Sequence, residues 1–371
     1  MSWIIGEIEA RGGAVPFEVF MELALYHPEH GYYSAGDPRY GRGGDYLTAP
    51  TASEWYPRMV ARSLVGIGAV CGALRLIDLA SGDGALIAGV VEALGQGAGE
   101  VLGEIVSVER SAAMRERQRD RLAPIQVPVR WVCGVAEFEV SSRSTVVHAS
   151  ELYDAQPVAR VARRSGELRE LWVTVRDGEL GWLERPPRSE VESYFRRHGV
   201  ELEEGQIAEA NLAAEDLHRG LLETLGEDGL CLVLDYGYEA RRLYDPRGRR
   251  GGSLTTFRRH ELGHDPFASP GEIDLTAHVN WDDLRNAGES AGWTEVGLWP
   301  LAEFLVRAGI GDELAERGLG MEADLDAATI TARQEVKRLL DPEGMGSDLK
   351  MLVQAKGEMI AAAESVLSFE F

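Results

Sequence analysis

Cysteine and long apolar runs are scarce in this sequence, and each shortage narrows the class of protein. Its three cysteines, Cys71, Cys133 and Cys231, are odd in number and form no C-x-x-C pair. We therefore expect reduced thiols packed in the core, and neither disulfides nor a zinc site. No apolar run approaches the roughly 20 residues of a membrane-spanning helix. Since the N-terminus also lacks the features of a signal peptide or a mitochondrial presequence, a cytoplasmic protein is predicted.

Basic residues are also in short supply, because 38 Lys and Arg face 61 Asp and Glu and leave a net charge of −23. Such a surface repels phosphate backbones and anionic lipid, so neither nucleic acid nor a membrane is expected as a partner. It suits a cationic partner, although plain solubility explains it equally well. The basic residues cluster at Arg241-Arg242 and from Arg247 to Arg250, a stretch predicted to be a solvated loop.

The stretch HELGH at residues 260–264 fits the H-E-x-x-H pattern of zinc proteases. That pattern binds zinc when its two imidazoles lie on one face of a helix. Gly263 and Pro266 disfavour a helix here, and no convincing third ligand follows. We therefore predict no metal site.

Short apolar runs alternate with helical stretches through much of the chain. Runs of this kind form buried parallel strands, so the pattern predicts an α/β fold whose sheet is covered by helices on both faces. Hairpins are predicted in 156–186, with turns at Ser165-Gly166 and Asp177-Gly178. Residues 238–280 are expected to be loop-rich, and the chain from Pro300 onward mostly helical. The predicted strands are 74–80, 105–109, 129–133, 144–148 and 229–235, and the predicted helices are 15–30, 53–65, 85–94 and 111–122.

The first of these strands runs into a glycine-containing turn with Asp78, Ala80, Gly82 and Gly84 at every second position. The glycines let the backbone approach a ligand, and the helix start that follows favours a polar or anionic group. This spacing is the acid-x-G-x-G-x-G turn of class I methyltransferases, with Ala80 in place of the first glycine, although any strand–helix turn can look alike. Glu109 ends the next strand, where an acid can accept bonds from ribose hydroxyls or simply cap a helix.

Two carboxylates follow the fourth strand, in the segment SELYDAQPV at residues 150–158. Glu151 and Asp154 are placed at the carboxyl edge of the predicted sheet, where open α/β folds bind their ligands. Such a pair could hold a cation and accept a proton. The alternative is an exposed acidic turn.

Together these motifs resemble the MidA/NDUFAF7-type family of methyltransferases that use S-adenosyl-L-methionine (SAM). The resemblance covers nearly the whole chain and keeps the family's order of motifs. It implies SAM as cofactor and a class I, Rossmann-like α/β sheet with β-hairpin and loop insertions and with helical additions at both ends. Mitochondrial members methylate an arginine of a respiratory complex I subunit. The matching stretches are YHPEHGYYS (26–34), GDYLTAPTASEWY (44–56), IDLASGDGAL (77–86), VERS (108–111), SELYDAQPV (150–158), EEGQIAEAN (203–211), LDYGY (234–238), PGEIDLTAHVNW (270–281), FLVRAGI (304–310) and MGSDLKML (345–352).

The resemblance also divides the chain into segments with separate expected roles. The glycine- and proline-rich stretch 36–50 is expected either to close over the cofactor as a lid or to be a static surface loop. The segments are an N-terminal helical and lid segment (1–70), the first half of the SAM-binding core (71–155), a β-hairpin insertion (156–207), the core continued (208–237), a loop-rich insertion with the remaining core strands (238–298) and a C-terminal helical segment (299–371).

By the same resemblance, individual residues acquire roles. The catalytic candidates are Glu151, Asp154 and His278, and the substrate candidates are Asp235, Tyr236 and His278. Asp235 and Tyr236 are expected in the loop after the fifth strand, and His278 in a segment that faces the substrate. Cofactor contacts are implied for Gly44, Asp45, Thr48, Pro50, Asp78, Ala80, Gly82, Gly84, Glu109, Gly134, Val135 and Glu151.

Three departures from the family concern the methyl acceptor. Thr51 stands where the family usually has Glu, Ser150 where it has Asn, and Pro300-Leu301 where it has Thr-Gln. Three functions therefore stay open: N-methylation of a guanidinium or amine, including protein arginine; tailoring of a small molecule or peptide; and a non-catalytic assembly factor. The first two need a protein, peptide or small-molecule acceptor, expected to be cationic. A homodimer is an open alternative to a monomer.

Overall fold

A computed structural model describes residues 2–34, 48–139, 141–258, 261–320 and 326–368. The chain divides into two compact units. The first draws its described residues from Met1–Tyr46, Tyr153–Leu217 and Gly237–Asn286, and the second from Leu47–Leu152, His218–Tyr236 and Ala287–Phe371. None of the described helices is both long enough and apolar enough to cross a membrane.

Helices and strands alternate along much of the described chain. The helices, α1 to α16 in chain order, are Ser2–Ala10, Phe17–Tyr26, Ala49–Ala52, Trp55–Cys71, Ala85–Leu94, Ala98–Val101, Ala112–Leu122, Ser189–Arg197, Ala214–Glu223, Ala240–Leu243, Trp281–Ser290, Leu301–Arg307, Ile310–Glu316, Ala327–Leu339, Met345–Asp348 and Met359–Leu367. The strands, β1 to β16, are Ala14–Pro16, Leu74–Leu79, Leu102–Val108, Val129–Val132, Thr145–Ser150, Ala159–Arg164, Glu167–Arg176, Glu179–Arg185, Ile207–Ala210, Gly229–Tyr238, Thr255–Arg258, Glu261–Gly263, Asp274–Thr276, Val279–Asn280, Thr294–Pro300 and Leu349–Lys356.

The second unit is built on a sheet with the strand order β15-β16-β10-β5-β2-β3-β4. The pairs from β10 through β5, β2 and β3 to β4 are parallel, whereas β16 runs antiparallel to both of its neighbours. The strand order reverses between β2 and β5, and such a switch point is where open α/β sheets bind ligands. All five predicted strands are confirmed as β2, β3, β4, β5 and β10, so the predicted α/β fold with a largely parallel sheet is also confirmed.

Local sequence explains why these elements form. Every residue of β2 is buried, as its solid apolar pattern predicts. Helix α4 packs against α5 and α16, and it buries Trp55, Tyr56 and Met59 almost completely. Ser111 caps α7 as predicted, because its side chain accepts a hydrogen bond from the backbone N–H of Met114.

Helices make up most of the described chain from Pro300 onward, but one strand that the sequence did not predict lies among them. Leu349–Lys356 forms β16, which lies between β10 and β15 in the interior of the sheet. The residues from Met351 to Ala355 are all buried. A short apolar run between helical sequences is compatible with a strand and with a buried helix. Only its pairing with β10 and β15 shows that it is a strand.

The first unit contains two further sheets. One has the order β1-β7-β6-β9 with β8 paired to β7, and the other has the order β12-β11-β13. The hairpins predicted in 156–186 are confirmed: Ser165-Gly166 and Asp177-Gly178 join β6 to β7 and β7 to β8. All four turn residues have φ between 51° and 79°, which is the geometry of a two-residue type I′ turn.

Two further expectations for this part of the sequence are refined. The helix predicted over 15–30 is shorter, because Ala14–Pro16 pairs with β7 as β1 and α2 ends at Tyr26. Within the HELGH stretch, Glu261–Gly263 forms strand β12 against β11. These described residues therefore do not lie on a helix, while His260 falls outside the described residues.

The cysteines correct one prediction. Cys231 is buried and Cys71 half-buried, but Cys133 is exposed. Cys133 comes directly after β4, which is the last strand in this order of the sheet. The apolar run that contains Cys133 therefore leaves the core at this residue. Two of the three thiols are therefore packed inside, at least in part, and the third is not.

Candidate functional site

The carboxyl ends of four neighbouring parallel strands carry most of the predicted cofactor residues. Leu79 at the end of β2 is level with Val108 of β3 and Ala149 of β5, and Val108 is level with Val132 of β4. The chain positions just beyond these ends therefore share one edge of the sheet in the second unit. They carry Ala80, Gly82, Gly84, Glu109, Gly134, Val135 and Glu151.

The turn after β2 is held in a left-handed backbone conformation. Ala80, Gly82 and Gly84 have φ values of 51°, 54° and 80°. For Ala80 this conformation costs about 1–3 kcal/mol and persists only where surrounding contacts impose it. Those contacts converge on Gly82: its N–H donates to Glu109 Oε2 at 2.9 Å, and its carbonyl accepts from Gln118 Nε2 at 2.6 Å.

Glu109 is fixed by backbone donors on both oxygens. Oε1 accepts from the N–H of Ser111 at 2.7 Å, and Oε2 accepts from that of Gly82. Burial raises the pKa of Glu109 to about 7, although the two N–H groups and Arg115 lower it. Each carboxylate oxygen keeps a further acceptor site, so Glu109 can still accept the ribose hydroxyls predicted for it.

A buried hydrogen-bonded chain beneath this edge was not predicted from the sequence. Asp78 Oδ1 lies 3.0 Å from His148 Nδ1, and His148 Nε2 lies 2.7 Å from Tyr56 Oη. Burial, with the charges of Asp78 and Glu151, raises the pKa of Tyr56 well above its usual value. Tyr56 therefore keeps its proton and donates a hydrogen bond to His148 Nε2. A neutral imidazole that accepts at Nε2 donates through Nδ1, here to Asp78 Oδ1. A usable signal existed, because a histidine inside the apolar run TVVHAS stands level with Asp78 on the neighbouring strand.

Glu151 occupies a constrained position directly after β5. Its φ of 51° is left-handed for a residue with a side chain, and its N–H donates to the carbonyl of Leu234 at 2.8 Å. The preceding residue, Ser150, has a buried Oγ that meets no hydrogen-bond partner among the described residues. The carboxyl end of β5 therefore carries one carboxyl group and one unsatisfied hydroxyl.

Thr48 and Pro50 lie at the start of α3, where Thr48 and Thr51 form a capping box. The Thr48 N–H donates to Thr51 Oγ1 at 3.0 Å, which is the contact that Glu or Gln makes in the usual version of this motif. Residues 36–47 of the predicted lid lie outside the described residues, and they include Gly44 and Asp45.

The sequence predicts Asp235 and Tyr236 in a loop after the fifth strand, but the structure does not place them in a loop. Both lie inside β10, which runs on to Tyr238 because Gly237 and Tyr238 pair with β14. The Asp235 side chain is fully buried and accepts a bond from the N–H of Tyr236 at 2.8 Å. Their substrate role stays a prediction.

The remaining candidates, Asp154 and His278, lie close together in the first unit. The carbonyl of Asp154 accepts from the N–H of Ala277, the neighbour of His278, at 2.9 Å. His278 Nδ1 lies 2.9 Å from Arg249 Nη1. Arginine stays protonated in proteins and has no acceptor, so it donates here, and the neutral imidazole must carry its own proton on Nε2.

The pKa of His278 falls to about 4, because burial and the neighbouring Arg249 both disfavour its charged form. At neutral pH His278 is therefore a hydrogen-bond donor through Nε2 and has no unoccupied basic nitrogen. Its catalytic role stays a prediction.

The residues at the sheet edge fit SAM. The glycine turn, the Glu109 carboxylate with its remaining acceptor sites, and the unsatisfied Ser150 hydroxyl supply the polar partners that a nucleoside with an amino-acid tail requires. A β-carbon added to Gly134 would meet nothing within 4 Å, so the end of β4 is open. Sheet, turn and acids together define a class I, Rossmann-like SAM-dependent methyltransferase.

Comparison with known proteins identifies the family. The family model Methyltransf_28, which describes S-adenosyl-L-methionine-dependent methyltransferases, matches residues 58–299. The chain belongs to this family, and its cofactor is SAM.

Curated relatives and solved structures are similar over nearly the whole chain. The Drosophila melanogaster protein named protein arginine methyltransferase NDUFAF7 homolog, mitochondrial, is 26% identical, over 94% of this chain and 83% of the relative. The Danio rerio protein arginine methyltransferase NDUFAF7 is also 26% identical, over 90% and 82%. A COG1565 superfamily member from Burkholderia thailandensis, crystallised with S-adenosyl-homocysteine bound, is 31% identical with a TM-score of 0.84, and the match covers 96% of this chain and 91% of that one.

Proposed function

We propose that this methyltransferase N-methylates a guanidinium or amine group, with protein arginine as the acceptor. The observation that carries the proposal is Glu151, held in a left-handed conformation directly after β5 at the cofactor edge. The names of the curated relatives, protein arginine methyltransferases, support the same acceptor. The acidic net charge of −23 favours attraction of a cationic acceptor.

A guanidinium is a difficult nucleophile, because its pKa lies above about 12 and its charge is spread over three nitrogens. When bound, SAM supplies a methyl group on a positively charged sulfur. In the transfer, a nitrogen–carbon bond forms, the carbon–sulfur bond breaks, and one proton leaves the nitrogen. In this proposal Glu151 orients the guanidinium by charge-assisted hydrogen bonds and accepts that proton. The catalytic role of Asp154 stays a prediction.

Two of the three departures from the family have local structural explanations. Thr51 completes a capping box, and Leu301 is fully buried in the core of the second unit. Only Ser150 lies at the sheet edge with a side chain that meets no partner among the described residues. The departures therefore give the tailoring of a small molecule or peptide less support than the sequence alone suggested.

The test compares Glu151→Gln with wild type. S-adenosyl-homocysteine should bind to both with affinities within about threefold, because the substitution keeps size and hydrogen bonding, whereas methyl transfer should fall by about 100-fold or more. Glu100→Gln is the matched control, because Glu100 is exposed on the short helix α6, and it should keep full activity. Full transfer by the Glu151→Gln protein would remove the assignment.

The acceptor class is tested by transferring labelled methyl groups from SAM into a lysate that is then fractionated by size. Label in proteins, at arginine, supports the proposal, and label in small molecules or peptides supports the tailoring function. No label anywhere would favour the assembly factor. Cytoplasmic localisation and a homodimer stay predictions, which cell fractionation and light scattering can check.

A further inference from the structure

A pocket of about 370 Å³ opens in the first unit between β6 and the loop that connects α10 to β11. This volume is in the range of small-molecule sites rather than of a single ion. Side chains that line it include Arg160, Arg249, Ser253, His264 and His278. Basic and neutral donors therefore dominate its polar wall, in a chain whose net charge is −23.

Glu209 is a buried acid beside the pocket, and Arg160 neutralises its charge. Glu209 Oε1 accepts from Arg160 Nε at 3.0 Å, and Oε2 accepts from the N–H and the Oγ of Ser253 at 2.6 and 3.1 Å. Gly252 has a φ of +84° and packs so closely that a β-carbon would lie 2.4 Å from Glu209 Oε1. The contacts of Glu209 thus neutralise Arg160 and hold the loop in place.

Arg249 on the same loop has no such partner. Its guanidinium stacks 4.1 Å from the Tyr238 ring centroid and donates to His278 Nδ1, but it forms no ion pair with an acid in the parts of the chain that the structure describes. It is also half-buried, so it does not lie on the solvated face predicted for the basic cluster. An arginine removed from water without a counter-charge is unfavourable, and stacking on tyrosine offsets only about 0.5–2 kcal/mol of that cost.

His278 completes the donor set. Because Arg249 occupies Nδ1, Nε2 carries the proton and remains available as a donor, and the backbone N–H of His278 bonds Ser253 Oγ at 3.2 Å. The arrangement combines an unmatched planar guanidinium with an imidazole N–H, a combination suited to the two oxygens of one oxyanion group.

We propose that this pocket binds an oxyanion group, a carboxylate or a phosphate, carried by a ligand larger than a simple ion. Arg249 provides the charge and the paired donors, His278 adds a neutral donor, and the Arg160–Glu209 pair contributes no net charge. The site rests on contacts within the first unit alone, so it does not depend on the proposed methyl acceptor.

The test is titration of protein labelled with ¹⁵N-histidine with inorganic phosphate and, separately, with acetate, at constant ionic strength and without SAM. The His278 resonance, assigned by its loss in His278→Asn, should shift in wild type with a millimolar Kd. Arg249→Gln should weaken binding by tenfold or more. Arg247→Gln is the matched control, because Arg247 is exposed on the same loop, and it should bind like wild type.

The titrations either support or overturn the proposed oxyanion site. Shifts with both anions, or with one alone, support the site, and a single responding anion identifies the group as phosphate or carboxylate. No shift in wild type at 50 mM of either anion, or equal affinity in wild type and Arg249→Gln, overturns it. Should Arg249→Gln fail to fold, Arg249→Lys keeps the charge but loses the planar fork, and unchanged affinity in that variant counts equally against the proposal.

Discussion

The two units hold their charged groups in opposite ways. At the cofactor edge of the second unit, acids bond to an imidazole and to backbone N–H groups: Asp78 to His148, and Glu109 to Gly82 and Ser111. In the pocket of the first unit, the acid Glu209 is matched by Arg160, and Arg249 is left without an acid among the described residues. The cofactor edge therefore has acids as its charged groups, whereas the pocket has a cation.

This difference shows why net charge is a poor guide to local function. A chain with a net charge of −23 still contains a pocket whose unmatched group is a cation. Partners at a few ångströms decide the sign of a site, because interactions between exposed distant charges are screened by water and salt. Experiments that change one region at a time can therefore test whether the two regions differ in this way.

The largest effect is expected at the turn after β2. Gly82→Val should lower the affinity for S-adenosyl-homocysteine by 100-fold or more, since the side chain would crowd a backbone held by Glu109 and Gln118 in a conformation that suits glycine. Gly95→Val is the matched control, because Gly95 has a similar φ of 58° and open space around it. Calorimetry that finds equal affinity in the two variants would contradict this use of the turn.

A smaller effect is expected from the buried chain under the cofactor edge. Tyr56→Phe leaves His148 Nε2 without its donor and should lower the free energy of unfolding by about 1–3 kcal/mol. In the first unit, Tyr194 donates to the buried Asp283 at 2.7 Å, so Tyr194→Phe should cost a similar amount. Urea unfolding should show a similar loss of stability in both variants, while binding assays should show weaker S-adenosyl-homocysteine binding in Tyr56→Phe alone. If the two variants bound S-adenosyl-homocysteine equally well, the buried chain would have no role in cofactor binding.

The affinity for S-adenosyl-homocysteine is also expected to depend on pH. Since the pKa of Glu109 is raised to about 7, its charged fraction grows about tenfold between pH 6 and pH 8. The charged form is the better acceptor for hydroxyl groups, so the affinity for S-adenosyl-homocysteine should rise by up to about tenfold as pH rises through 7. Glu109→Gln should bind weakly at every pH, and a wild-type affinity that is flat over this range would show that Glu109 does not titrate there.

The smallest effect is expected in the pocket. The pKa of His278 is lowered to about 4, so the imidazole stays neutral from pH 6 to pH 8 and gains charge only below about 4. The ¹⁵N shifts of His278 should therefore be constant over the range in which S-adenosyl-homocysteine affinity changes. A titration midpoint near 6.5 would show that Arg249 does not hold this histidine in its neutral form.

Much of the second unit could be predicted from its sequence. The strands β2 to β5 and β10 stand out as short runs rich in apolar residues, and the turn at Asp78 to Gly84 follows from its glycine spacing. The edge that collects Glu109 and Glu151 then follows from the parallel strand order, because the ends of such strands share one edge. What failed was β16, because a segment of only eight residues with a few apolar side chains carries no signal that separates a strand from a buried helix.

Features that depend on near neighbours in the chain follow from the amino-acid sequence. The hairpin turns at Ser165-Gly166 and Asp177-Gly178, the Ser111 cap of α7 and the buried strands all arise from backbone preferences and periodicity over a few residues. Tertiary structure alone decided which distant side chains meet. His148 reaches Asp78 only through the register of β2 with β5, and Arg249 reaches His278 only because the loop before β11 folds over the segment before β14. Such contacts fix protonation and local charge, since burial and a partner within 3 Å outweigh the intrinsic tendencies of either residue.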